Sequence, residues 1–551
     1  MKWILDMVHH NPGETPFETS FSNPEKLKCY GYNGQVFKHI NCTAKFASIS
    51  PAVVPSGSAE EAWADALIAA LHTQNRAAKA NGLAVFYHID LFVLPRRLVQ
   101  LYQAELCDNK GRISIERPFT LTVHRALFDE LLAEFPEVDG FIVRVGETYL
   151  FDTPYHTGNG PIRATQYEPS TDSNETEIAR YTTLLQFLRQ EICVKHSRWL
   201  LFRTWDCYPD KFHANLDYYL AVTNSVPPHE KLVFSIKHTA LDFWRRVRFN
   251  PCIAQGKHRQ IIEVQCQREY EGKGAYPNYI MDGVIDGFPE CARQEGLRNV
   301  WNDARICGIF GWSRGGGWYG PYLQNELWCD LHAYVIAQFA LHPQQTELSI
   351  FTRYATQRMG LAAEEAAILR GLCKTAAQAV LHGRYCEAYD ASLQEKIAPT
   401  NLWMRDDRLG GAQQLAPVFA YLKENNLVDS ALKEKQLAVA LWQQVVSLAE
   451  KIQSSPQGRY ILVSAQYVLT LYRIVEIGWR VLLLSQCKAD TELQRQALTE
   501  YDRCWEAYQA VSAQPQCATL YQDTYLNLPG TSPVSGLGES IEVVRKQIRK
   551  G

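Results

Sequence analysis

The sequence predicts a (β/α)₈ barrel (TIM barrel) over residues 1–335, followed by an all-α C-terminal domain over residues 336–551. Three observations carry that expectation. First, short apolar strands alternate with amphipathic helices up to residue 335, the pattern of consecutive βα units. Second, beyond Pro343 the strand-like runs stop, and the chain becomes rich in Ala, Leu and Gln with apolar residues at i, i+3 and i+4. Third, the stretch Gln260–Tyr279, QIIEVQCQREYEGKGAYPNY, opens with strict alternation. Ile262, Val264 and Cys266 share one face, while Glu263, Gln265, Gln267 and Glu269 share the other. A polar column of that kind is a poor core and a good lining for a sugar cleft at the mouth of a barrel, with Glu269 at its end.

The strands follow in order. Trp3–His9 is the first, and Gly34–Phe37 is a weaker second, followed by a helix over Glu60–Ala80. Leu83–Leu91 is the third, with a helix including Arg125–Glu134 after it. Gly140–Gly146 is the fourth, then a polar loop and the helix Glu177–Val194. Trp199–Trp205, Lys231–His238, Gln260–Gln267 and Ile306–Trp312 complete the set, which is the number a closed barrel needs. In the second half, helices are expected over Ala362–Leu381, Ala412–Lys423, Ser430–Ile452, Tyr460–Ser485 and Thr491–Val511, with a short basic helix at the end. Leu462–Leu484 is apolar on nearly every side, so it is expected to be buried between helices or at a homodimer interface.

Bulk composition narrows the function classes. A length of 551 residues implies more than one domain, and 46% hydrophobic with 21% charged residues is ordinary for a soluble globular protein. A net charge of −3 with no basic run argues against nucleic acid as the partner. The 15 cysteines are scattered, without C-x-x-C pairs or zinc-ligand spacing, so free thiols in a reducing compartment are the simplest account. The N-terminal apolar stretch is too short for a signal peptide, and no long uncharged apolar run spans a membrane. A cytoplasmic protein is expected, or a periplasmic one if an export signal has been removed.

In barrels of this class, chemistry collects at the carboxyl ends of the strands. Those positions hold His9, His10, Asn11 and Glu14; then His88 and Asp90; then Arg144 and Glu147. Further along come Arg203 and Asp206, then Lys237, His238 and Asp242. Glu269 and Tyr270, and lastly Trp312, Ser313 and Arg314, close the ring. Each has an ordinary alternative. A lone Glu at a strand end is usually solvated, Lys237 can simply pair with Asp242, and histidines are more often hydrogen-bonded than ligating. WSRGGGWYGPY (312–322) lacks the Gly-Lys-Ser/Thr ending of a phosphate loop, which excludes nucleotide binding there. The histidines lie on distant strands without His-x-His or Glu-x-x-His spacing, so no metal and no cofactor are expected.

Several segments together resemble the glycoside hydrolase family 67 α-glucuronidases. EVQCQREYEG (263–272) resembles the family's strand-seven motif, with Arg268 where the family has Gln. FSIKHTALDFW (234–244), LLFRTW (200–205) and NELWCDLHAYVIAQFALHP (325–343) resemble its strand six, its strand-five Arg and its first helix after the barrel. GFIVRVGETY (140–149) is more loosely similar to the strand that ends in the general acid. The resemblance implies Glu147 as general acid and Asp242 and Glu269 as the carboxylates that activate water. It also implies Arg203 and Lys237 as ligands of a substrate carboxylate. His9, His10, Asp90, Tyr270, Trp312 and Arg314 are expected to line the sugar site. The family places a β-rich domain before its barrel, whereas here the first strand is expected to begin at Trp3. The expected activity is an inverting, exo-acting hydrolase that releases a uronic acid from an oligosaccharide. Its acid and base would stand about 6.5–9.5 Å apart to admit a water. A glycosidase for another acidic or neutral sugar, or a non-catalytic sugar-binding barrel, are the alternatives.

Overall fold

The computed structural model describes residues 2–9, 17–38, 40–145, 153–158, 172–206, 210–291, 293–315, 323–393, 403–405, 409–452, 455–487, 489–521 and 536–550. Eight parallel strands close into a barrel. They are β1 (Trp3–His9), β2 (Gly34–Phe37), β3 (Ala84–Asp90), β4 (Gly140–Arg144), β5 (Trp199–Arg203), β6 (Leu232–Lys237), β7 (Arg259–Gln265) and β8 (Ile306–Gly315). Each pairs with its neighbours in sequence, and β8 returns to β1 from Trp3↔Gly308 to His9↔Gly315. The expected strands are all present, trimmed or lengthened by a few residues. β2 is weak in sequence because it has only four residues, yet it pairs with both β1 and β3. Gly308 is required where β1 and β8 meet. Its φ is +143°, and a Cβ there would sit 1.8 Å from the Trp3 carbonyl oxygen.

Alternation along the strands sets the interior. Leu5, Met7, Val36, Phe86, Ile142, Leu201, Val233, Ile261 and Phe310 fill the lower barrel as one apolar cluster. Two residues further along the same inward faces, the side chains turn polar: His88, Arg144, Arg203, Ser235 and Glu263. The outward faces pack on helices that include α1 (Ala59–Ala80), α2 (Pro118–Glu134), α3 (Asn174–Leu188) and α4 (Leu216–Asn224). Local signals begin these helices; Ser58 Oγ accepts from the Glu61 amide at 3.1 Å, with Glu60 and Glu61 in the first turn of α1.

Helix α5 (Leu327–Leu341) packs on β8 and runs unbroken through the expected boundary at residue 335. Beyond it lie α6 (Ala363–Arg384), α7 (Ala412–Glu424), α8 (Val428–Ala449), α9 (Gly458–Gln486), α10 (Thr491–Ser512) and α11 (Leu537–Lys550). The all-round apolar stretch of α9 is buried against α8, α10 and α11, so its hydrophobicity is accounted for within one chain. Among the described residues every cysteine is a free thiol, and no helix is long and apolar enough to cross a membrane.

The helical region also grips the loop after β7. Arg245, in the preceding loop after β6, donates from Nη1 to the Ala377 carbonyl at 2.8 Å; in the loop after β7 itself, Glu271 Oε1 accepts from the Tyr385 hydroxyl and the Gly274 carbonyl accepts from the Tyr460 hydroxyl at 3.3 Å. That loop holds two non-glycine residues in the left-handed region, Arg268 at φ +57° and Lys273 at φ +46°. Such a conformation costs on the order of 1 kcal/mol for an L-residue. The Arg268–Glu271 ion pair, at 3.1 and 2.6 Å in a dry setting, helps to hold it.

Candidate active site at the barrel mouth

The polar layer is built from neighbouring strands. Arg203 Nε and Nη2 donate to the two oxygens of Glu263 at 2.9 and 2.8 Å, and Ser235 Oγ donates to Glu263 Oε1 at 2.8 Å. Arg203 Nη1 also reaches His88 Nε2 at 3.2 Å. Burial opposes ionisation of Glu263, but the cations Arg203 and Lys237 outweigh it and hold its carboxyl below the usual range. Burial, with Arg144 and Arg203 nearby, keeps His88 neutral, so its Nε2 is the acceptor. Beside it, Arg144 pairs with Asp90 through two bonds of 2.7 Å.

Above this floor stands a carboxylate pair. Asp242 Oδ1 accepts from Lys237 Nζ at 2.7 Å, and Oδ2 accepts from Tyr270 hydroxyl at 2.7 Å. Glu269 Oε2 accepts from Gln265 Nε2 at 2.8 Å, while Gln265 Oε1 accepts from the Glu269 amide at 3.0 Å. The two carboxyls are pushed apart in acidity. Burial and the charge of Asp242 raise Glu269 to about 7. Burial acts on Asp242 in the same direction, but Lys237 and the Tyr270 hydroxyl overcome it and hold Asp242 below the usual carboxylate range. The pair therefore divides into one member held ionised and one that keeps its proton more tightly, the divergence that proton transfer uses.

Aromatic rings surround the pair. Lys237 Nζ lies 3.5 Å from the centroid of the Trp205 ring, and Trp244 packs on Tyr270 at 4.3 Å. Trp312 stacks on the His9 ring at 5.1 Å, nearly parallel to it, and lies 4.8 Å from the Arg203 guanidinium. Lys38 Nζ is 3.1 Å from His9 Nε2. A small hollow lies at the same end, lined by Lys38, Asn41, Cys42, His88, Asp90, Val93 and Thr153. A wider groove lined by Ile115, Leu121, Arg180 and Thr183 lies between helices on the barrel flank, away from this chemistry.

Of the expected site residues, Asp242, Glu269, Lys237, Tyr270, Trp312 and His9 gather at this mouth. Glu147 and His10 lie outside the described residues. Three further expected site residues are engaged by partners within the protein. Arg203 gives its Nε/Nη2 edge to Glu263, in a pair excluded from water, and its Nη1 to His88. Asp90 is held by Arg144 rather than offered to sugar hydroxyls. Arg314 is turned to the start of α5, with Nη2 donating to the Leu323 carbonyl at 3.1 Å and Nη1 3.2 Å from Glu326. Lys237 pairs with Asp242, the plainer of its two sequence readings.

No protein-family model matches the chain, and no curated protein matches it either. Solved structures do. A GH138 enzyme targeting pectin rhamnogalacturonan II is 11% identical with a TM-score of 0.58, over 99% of this chain and 67% of that one. The likeness establishes the fold. CpGH84D and a mutant O-GlcNAc hydrolase from Thermobaculum terrenum are each 11% identical at a TM-score of 0.40. They cover 100% and 99% of this chain, and it covers 75% and 94% of theirs.

Two contributors escaped the sequence reading. Glu263 stood in the polar column of β7, but its partner on β5 is visible only once the strands close. Arg405, from the helical region, lies 5.2 Å from the Tyr270 ring centroid, and no local pattern marks it. Among the described residues, one group away from the mouth has metal-ligand geometry. His382, Glu387 and Glu434 bring ligand atoms within 4.8 Å of one another, although Lys435 and the Glu387 amide already engage Glu434.

Proposed function

We propose that the protein is a glycoside hydrolase that removes a terminal uronic acid from an oligosaccharide. The observation that carries the reading is the carboxylate pair at the strand ends, with Asp242 ionised by Lys237 and Tyr270 and Glu269 raised to about 7. Two carboxyls with divergent acidity on a rigid rim, flanked by aromatic rings that a sugar face can cover, fit acid–base cleavage of an acetal. The motif resemblance to the family 67 α-glucuronidases adds the uronic acid and the inverting course. A glycan-targeting enzyme with a similar fold supports hydrolysis of a glycoside.

In the leading assignment Asp242 and Glu269 orient and deprotonate the attacking water, and Glu147 protonates the leaving oxygen. The raised pKa of Glu269 favours a second assignment, in which Glu269 is the proton donor and Asp242 the base. Aryl glycosides separate the two. A good phenolate leaving group needs no protonation, so Glu269→Gln keeps activity on nitrophenyl substrates only if Glu269 is the acid. A panel of uronic-acid-capped and neutral oligosaccharides tests the substrate class. Release of the uronic acid supports the proposal; cleavage confined to neutral sugars, or binding without turnover, overturns it.

A further inference from the structure

An acidic sugar bound at this mouth needs a cation beside the residues assigned to the chemistry, and Arg405 stands there, against the Tyr270 ring. We propose that Arg405, delivered from the helical region, recognises the carboxylate of an acidic sugar in this mouth. This rests on the proposal that the mouth binds a uronic acid.

The backbone that carries Arg405 is anchored on both flanks. Met404 and Leu409 form an antiparallel bridge, and the Gly410 amide donates to the Trp403 carbonyl. Trp403 is fully buried, donates from Nε1 to the Arg384 carbonyl at 3.0 Å, and packs edge-on against Trp479 at 5.6 Å. A bridge from Gly410 to Gly536 ties Gly410 to the start of α11, and Tyr521 hydroxyl donates to the carbonyl of Arg405 itself. From that base the side chain extends to the barrel. It is 6% exposed, its guanidinium carbon lies 5.2 Å from the Tyr270 centroid, and its charge acts on Glu269. Tyr270 is the residue that also bonds Asp242, so the guanidinium adjoins the residues assigned to the chemistry.

The chemistry of the group suits the task. A guanidinium stays charged throughout the working pH range and presents a planar fork that matches a carboxylate. Held against an aromatic ring by a braced backbone, it loses little freedom on binding. The position also explains why a domain without catalytic signatures is packed on the barrel: it completes the substrate site.

The test is titration calorimetry with glucuronate, galacturonate, glucose and galactose on wild type, Arg405→Met and Arg405→Lys, alongside turnover of uronide and neutral glycosides. We expect wild type to prefer the acid over the matching neutral sugar by at least tenfold. Arg405→Met should lose that preference, and Arg405→Lys should keep part of it. A role limited to clamping Tyr270 and lowering the pKa of Glu269 would shift the pH profile and leave the preference intact; that result overturns the inference. Should Arg405→Met not fold, an undiminished preference in Arg405→Lys overturns it equally. If wild type prefers the acid through Arg405 but turns over no glycoside, the inference stands and the hydrolase proposal falls. If wild type has no preference for the acid, the inference falls, whatever glycosides it cleaves.

Discussion

Replacing Glu263 by Gln should destabilise the barrel, and the size of the effect follows from the geometry. Both side chains of the Glu263–Arg203 pair are fully excluded from water, the contact is bidentate at 2.9 and 2.8 Å, and Ser235 adds a third donor. Removing one charge strands the other in a dry interior, which costs about 3–5 kcal/mol. Arg203→Met should cost a similar amount, while the double variant should cost clearly less than the sum, because no unpaired charge remains. Urea denaturation followed by circular dichroism and tryptophan fluorescence measures the cycle. The pH dependence supplies a second reading. The folded carboxyl is held below its ordinary value of 4.5, so its stabilisation is complete above that value and is lost as pH falls through the lower folded one. The gap between wild type and Glu263→Gln should therefore shrink in acid. Single-variant costs under about 1 kcal/mol, where a buried pair predicts several, would refute the reasoning. So would an Arg203→Met that is stable and only raises KM; that outcome would return Arg203 to the substrate.

Other outcomes follow from the same mouth. Glu269→Gln and Asp242→Asn should each lower turnover of a natural, poor-leaving-group substrate by roughly 10²–10⁴, with the fold intact by circular dichroism. Glu269 also carries a stability signature. Its folded value is raised from 4.5 to about 7, so the unfolded chain ionises first, and wild-type stability declines as pH rises from 4.5 through 7. Glu269→Gln escapes that decline, so its stability relative to wild type should rise over this window and level off above it; a pH-independent difference in denaturation midpoint would contradict this. Tyr385→Phe removes the helical region's hydroxyl from buried Glu271 and should cost about 1–3 kcal/mol in thermal or urea melts.

The barrel was legible because its signals are local. Each strand is a short apolar run bounded by loop residues, and the polar inward face of β7 could be read from alternation alone. Even four-residue β2 emerged, since the count of strands required it. The rim carboxylates Asp242 and Glu269 were legible for the same reason, as ends of strands and starts of loops. Charge pairing was not. Whether Arg203 faces substrate or Glu263 depends on a contact reaching across β6 between residues 60 apart in the chain, and sequence spacing carries no information about that. The engagement of Asp90 by Arg144 on β4, and of Arg314 by Leu323 and Glu326 just before α5, is equally absent from the spacing. Arg405 was invisible, since its place beside Tyr270 is set by the packing of Trp403 and Tyr521 rather than by any motif. The long apolar helix α9 was legible as buried, but its covering turned out to be its own neighbours.

The most direct measurement is proton NMR of the sugar released from a reducing-end-blocked oligosaccharide capped by α-linked glucuronic acid, recorded within the first turnovers. The account expects wild type to liberate the β-anomer of the uronic acid before mutarotation, and the Glu269→Gln and Asp242→Asn proteins to liberate little. Appearance of the α-anomer first, or equal release by wild type and both variants, would contradict it.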